Sequence, residues 1–398
     1  MTSLRFDSTT GGGGGVIESF QNSGRGGPPA LVAPSTSSGL LDSFHNSKYK
    51  NQSQSITDAQ ATQLYRMLHA DPNVSSHRLA YQKIAFERML SSRSSPSGSA
   101  SKTWLCQYEG EEITVKVLQH HHSSSSLKAS ARKMKSASRK NNDADCRYED
   151  LRRLVNEIQL TASLEHPNIV RFLAVAWDSM AIESLCLITE YLPEGNLSDH
   201  LQTTRYSTWT HRKLRFAIGV ANALEYLHSR KIPLEQFSSS SSANSSSSTG
   251  PTAILHRDVR AKNPKLVNIG AKHDYLSISP ELVAAGDGNA FWTAPEVLSG
   301  RRYSEKSDIY AFGVLLSEID TNGNLPYANT KSEDRQQLRP FQVLNLVASG
   351  KLRPAFSPNC PVRVREIAAM CLCNDPLQRV NAATLTQLLE SYDKTLAQ

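Results

Sequence analysis

The spacing of apolar residues changes period close to Asn196, and this change constrains the fold more than any other feature of the chain. Before it, Ile113 to Leu118 and Leu185 to Tyr191 are short β-branched or apolar runs of the kind that form strands. Beyond it, Leu214, Ala217, Ala221, Leu224 and Leu227 recur at helical spacing, as do Ile309, Phe312, Leu316 and Ile319. A β-rich part followed by an α-rich part predicts an α+β organisation. With 398 residues, 39% of them hydrophobic, the chain can bury a sizeable core.

Low-complexity sequence breaks this pattern in three places. Residues 1–55 are rich in Gly, Ser, Asn and Thr, cannot offset the entropy of ordering, and are expected to be disordered. Residues 56–83 should form a helical extension, with Ala59, Leu64, Met67 and Leu68 on one face and Asp71-Pro72 stopping the helix. A basic, His- and Ser-rich segment at about 119–145 and a Ser-rich one at about 234–252 are expected as surface insertions. Between Gln119 and Asn142 the first carries Lys128, Arg132, Lys133, Lys135, Arg139 and Lys140 and no acidic residue, and so this stretch holds nearly all of the formal charge of +7. It contains no aromatic residue for base stacking, and no nucleic-acid partner is expected. His120 to His122 lack fixed geometry in such a segment and are assigned no metal. The six cysteines show neither metal-ligand spacing nor a disulfide framework. With no apolar leader near Met1 and no run of about 18 apolar residues, the chain is expected in the cytoplasm, or else the nucleus, without a membrane span.

The strongest local signal is His256-Arg257-Asp258 followed by Asn263. Its companions come in order: Ala294-Pro295-Glu296, then Asp308 to Gly313 (Asp-Ile-Tyr-Ala-Phe-Gly), then Asp375-Pro376 with Arg379. Upstream stand Ile113-Thr114-Val115-Lys116, Glu157 within Leu154 to Leu160, and Leu164 to Val170. Leu187-Ile188-Thr189-Glu190-Tyr191 follows. Together these resemble the eukaryotic protein kinases, most closely the tyrosine-kinase-like group of serine/threonine kinases, over roughly Ile84 to Tyr392.

The resemblance implies a bilobal fold, a small β-rich lobe over 84–192 and a large helical lobe over 193–398, with ATP bound between them. It implies that Lys116 holds the ATP phosphates and Glu157 orients that lysine, with Thr189 beside the adenine. Asp258 would orient the acceptor hydroxyl and take its proton, Arg260 would meet the transferred phosphate, and Asn263 would hold Mg²⁺. Arg260 stands where serine/threonine kinases place a lysine, so Ser or Thr is the expected acceptor. Glu296 would pair with Arg379, and Asp308 would support the catalytic loop. A protein substrate or signalling partner is implied; the oligomeric state is left open.

Two motifs depart from the family. The phosphate-covering loop, expected at Pro96 to Thr103, keeps only Gly98 of three glycines, which should loosen the hold on ATP. The metal-binding Asp-Phe-Gly has two alignments. Without gaps, Tyr275-Leu276-Ser277 takes its place; shifted by one residue, Asp274-Tyr275-Leu276 does, and Asp274 remains for Mg²⁺. The chain is therefore expected to be a slow kinase or, alternatively, a pseudokinase that binds nucleotide or protein partners without turnover.

Overall fold

The computed structural model describes residues 56–94, 99–120, 137–179, 181–232, 252–262, 290–328, 330 and 336–396. The small lobe is a five-stranded sheet: β1 (Ala85–Ser94), β2 (Ser99–Tyr108), β3 (Glu111–His120), β4 (Phe172–Asp178) and β5 (Ala181–Glu190). The order is β1-β2-β3-β5-β4, every neighbour antiparallel. A two-residue turn joins β2 to β3. Glu109 and Gly110 both take positive φ, 52° and 90°, which matches the right-handed twist of the strands, and glycine adopts it without a Cβ penalty.

Strand alternation decides what each face touches. Ile113, Val115, Ala174, Ala176, Cys186 and Ile188 form one core beneath the sheet. The opposite face carries Val175, Trp177, Leu185 and Leu187, which pack under helix α2 (Ala137–Ala162). Lys116 pairs with Leu187 across β3 and β5 and falls between the inward residues Val115 and Val117. Register alone therefore turns it toward α2.

Two boundaries differ from expectation. β2 begins at Ser99 and pairs with β3 from Ser99↔His120 onward, so Ser99 to Thr103 are strand rather than phosphate loop. Ladder hydrogen bonds to both neighbours outweigh the weak strand preference of Ser and Ala. Helix α2 begins at Ala137, inside the stretch assigned to the basic insertion. Extending a helix already nucleated by its packed turns adds one hydrogen bond per residue, which carries the polar N-terminal end along. Residues 121–136 of that insertion, residues 1–55 and most of the Ser-rich segment lie outside the described residues. An antiparallel pair, β6 (Lys231–Ile232) with β7 (Thr252–Ala253), joins the ends of the last.

In front of the sheet, α1 (Asp58–Ala70) starts at a capping box in which Thr57 and Gln60 satisfy each other's backbone amides, and it buries Leu64 and Leu68. The large lobe holds α3 (Leu197–Thr204), α4 (His211–Ser229), α5 (Glu305–Asp320), α6 (Pro340–Ala348), α7 (Val362–Cys371) and α8 (Ala382–Leu396). Helix α5 is its axis: every residue from Ser307 to Asp320 is buried. A Cβ on Gly313 would stand 2.8 Å from Leu372 Cγ and 2.9 Å from Cys371 Cβ, so only glycine lets α5 pass so near the end of α7. Leu214, Ala217, Ala221, Leu224 and Leu227 of α4 lie in the same core. The expected α+β fold of two lobes is the fold observed.

Candidate active site

On the α2 side of the sheet, Lys116 Nζ donates to both carboxylate oxygens of Glu157, at 2.6 and 2.8 Å. The side chains are 16% and 7% exposed, so the pair is largely withdrawn from water. A lysine so held is a point cation with fixed direction, which suits a phosphate. Thr189 is buried on β5, on the same sheet face, paired with Thr114 of β3.

The loop His256 to Ala261 is hung from two acids of α5. Asp308 Oδ2 accepts from the His256 amide at 2.9 Å and from His228 Nε2 at 3.0 Å, while Oδ1 accepts from the Arg257 amide at 2.8 Å. Burial alone would raise the Asp308 carboxyl, but the His228 bond and charge, with the amide donors, hold it below the usual carboxylate range. The loop needs this support because Arg257 has a φ of 67°, the left-handed region that costs a non-glycine residue free energy.

Farther along α5, Glu318 Oε2 accepts from the Ala261 amide at 3.0 Å and from Trp292 Nε1 at 2.7 Å. Glu318 is 3% exposed. Burial pushes its carboxyl up to about 7 against the pull of those two donors. One side chain thus ties the end of the catalytic loop to the segment before Pro295.

Between these supports Asp258 faces Arg260. The Arg260 Nε lies 2.8 Å from Oδ1 in an ion pair, and Nη2 donates to Oδ2 at 3.4 Å. Trp292, Thr293, Ala294 and Tyr303 line a small recess beside Asp258. Such a carboxylate, oriented and next to a fixed cation, can accept a proton from a hydroxyl placed in that recess.

Glu296 lies away from the chemistry. Arg379 Nη1 and Nη2 donate to its two oxygens at 2.8 and 2.7 Å, and Ser307 Oγ donates at 3.0 Å. Burial would raise this carboxyl; the Arg379 bonds hold it below its ordinary range.

The structure therefore brings Lys116 to Glu157 and Asp258 to Arg260. Gly98, Asn263 and Asp274, with Tyr275 to Ser277, lie outside the described residues. Among the described residues no group of three or more His, Cys, Asp or Glu could hold a metal, and no helix is long and apolar enough to cross a membrane. Sequence reasoning missed His228 and Glu318. For Glu318 the signal was present: an acid that follows the apolar run Val314 to Leu316 on a buried helix must find buried donors.

Fold and site together define a protein-kinase domain. A family profile described as protein tyrosine and serine/threonine kinase matches residues 98–233 and 251–389, more than half of the chain, and the chain belongs to that family. Similar proteins include the serine/threonine-protein kinase VIK of Arabidopsis thaliana, 31% identical over 61% of this chain and 50% of its own. The serine/threonine/tyrosine-protein kinase HT1 of the same plant is 27% identical over 60% of this chain and 54% of its own. The probable serine/threonine-protein kinase drkB of Dictyostelium discoideum is 25% identical over 87% of this chain and 44% of its own. The chain thus spans about half the length of these curated relatives.

Proposed function

We propose that this chain transfers phosphate from ATP to Ser or Thr hydroxyls of a protein substrate in the cytoplasm or nucleus, at a rate well below that of an ordinary kinase. The observation that carries the reading is the Lys116–Glu157 pair, closed and mostly buried. In this reading Lys116 draws the nucleotide phosphates, and Thr189 borders the base. Asp258 orients the acceptor hydroxyl and takes its proton, while Arg260, now paired with Asp258, turns to the transferred group. Mg²⁺, held through Asn263 and Asp274, would supply charge neutralisation between the phosphates.

Slow turnover follows if the ungapped alignment, which puts Tyr275-Leu276-Ser277 rather than Asp274 at the metal motif, is the right one, and in either alignment from the single glycine, Gly98, in the phosphate loop. The same departures favour the second reading, a pseudokinase that binds nucleotide as a signalling module. Purified chain, labelled ATP and Mg²⁺ or Mn²⁺ separate the two. We expect transfer at least ~10²-fold slower than the roughly 1 to 100 s⁻¹ typical of kinases, abolished by Asp258→Asn. Nucleotide binding should be lost in Lys116→Met, with little change in melting temperature. Binding without transfer selects the pseudokinase; neither binding nor transfer discards both readings.

A further inference from the structure

Residues 56–84 touch the small lobe in two places that have no covalent reason to stay together. Helix α1 lays Leu64 and Leu68, both fully buried, against Leu151, Leu154, Val155 and Ile158 of α2. Two side-chain amides fix the helices in register. Gln60 Nε2 donates to Asp145 Oδ1 at 3.2 Å, and Gln159 Nε2 donates to the Met67 carbonyl at 3.0 Å. The chain then runs to the sheet. The Val175 amide donates to the His77 carbonyl at 2.9 Å, and the Leu79 amide donates to the Val175 carbonyl at 3.0 Å. This parallel bridge occupies the outer edge of β4, the last strand of the sheet. Arg78 lies over the Trp177 ring at 3.9 Å, while Tyr65 and His69 approach the same ring.

Glu157 sits inside the gripped stretch of α2, three residues after Leu154 and one before Ile158. A packed helix interface is bistable rather than continuously deformable, so α2 cannot swing or turn without first expelling Leu64 and Leu68 into water. We propose that residues 56–79 are a built-in clamp that fixes α2 against the sheet, and that Leu64 and Leu68 are positioning residues that hold Glu157 on Lys116. The clamp joins helix to edge strand, so anything that pulled the segment away would release the Lys116–Glu157 pair. This inference rests on the reading of Lys116 as the lysine that draws the nucleotide.

The test uses the full chain with Leu64→Ala, Leu68→Ala and the milder pair Gln60→Ala with Gln159→Ala, in which the apolar contact survives and folding is secure. Hydrogen exchange comes first. Amides over 148–162 should lose protection about tenfold or more, while those of α5 keep theirs. Unchanged protection of α2 in all three variants overturns the clamp, whether or not the protein binds nucleotide. Affinity for a fluorescent ATP analogue follows. It should weaken roughly three- to thirtyfold in the clamp variants, and this loss should vanish when the same substitutions are made on Glu157→Gln. A loss of equal size in both backgrounds would make α1 merely structural. A wild-type chain that ignores the analogue removes the proposed function instead, and exchange then decides the clamp by itself.

Discussion

Individual acids do the holding in this molecule, and their surroundings make them respond to pH in opposite ways. Glu318 titrates near 7 in the folded chain, above its ordinary value of 4.5. Between those values the folded state keeps a proton that the unfolded state has lost, so its contribution declines as pH rises from about 4.5 to 7. Both its donors meet Oε2, and a glutamine oxygen can accept both bonds without ever ionising. We expect Glu318→Gln to melt higher than the wild type at pH 8, by on the order of 3 kcal/mol of stability, with the gap closing toward pH 5. A constant gap across that range would show that Glu318 does not titrate there. Glu296 is the reverse case: its pair with Arg379 holds its carboxyl low, so that contribution is present above the ordinary carboxylate range and fades only in acid. Removing the cation strands a buried charge. Arg379→Met should cost about 3 to 5 kcal/mol at neutral pH, read by denaturant unfolding, whereas a loss below about 1 kcal/mol would mean that the pair is effectively solvated.

Elements were legible in the sequence where burial repeats at their own period, and illegible where hydrogen bonding alone sets the limit. The apolar stripe of α4 and the inward residues of α5 could be read directly, because 3.6-residue spacing leaves few alternatives. The ends of β2 and α2 could not: Ser99 to Thr103 and Ala137 to Asp145 are polar, and the ladder or helix they join carries them. Of the candidate site, Lys116, Glu157 and Asp258 could be placed by motif, but the buried acid Glu318 required knowing that Trp292 and Ala261 converge on it. Gly313 falls between the two cases. It reads as part of a motif, yet its physical reason is the 2.8 Å approach of Leu372 to its missing Cβ. Alanine usually favours a helix over glycine by about 1 kcal/mol, so the sign of Gly313→Ala tests packing against propensity. We expect packing to win, with a net loss of about 1 to 3 kcal/mol in chemical denaturation; a stabilised variant would show that α7 yields easily.

At the scale of the whole molecule, the two lobes meet where α2 leaves the small lobe. Leu160 in the last turn of α2, and Leu164 and Ile169 beyond it toward β4, belong to the core of the large lobe. The link is closed by groups at the C-terminal end of α4: the Glu165 amide donates to Tyr226 Oη at 3.1 Å, Nη2 of Arg230, the residue after the helix, donates to the Ser163 carbonyl at 3.0 Å, and the His166 ring stacks on Tyr226 with centroids 4.9 Å apart. Since α2 also carries Glu157, one helix reaches from this junction to the Lys116 pair. His166 gives the junction a pH dependence. Its Nδ1 accepts from the Asn168 amide at 3.1 Å, which requires the neutral ring, and burial holds its pKa below 6.5. The unfolded chain therefore takes up a proton first as pH falls. The stabilisation is complete above 6.5 and declines through the interval down to the lower folded value. The sign opposes that of Glu318, so the wild-type curve mixes the two, and only the difference from a variant isolates the histidine. His166→Phe keeps a ring against Tyr226 and cannot titrate. We expect the melting temperature of the wild type relative to this variant to fall between pH 7.5 and 5.5, with hydrogen exchange at Asn168 and its neighbours rising over the same interval. A difference independent of pH would mean that His166 takes up its proton equally in the folded and unfolded chain, and that the lobe junction does not sense acid through it.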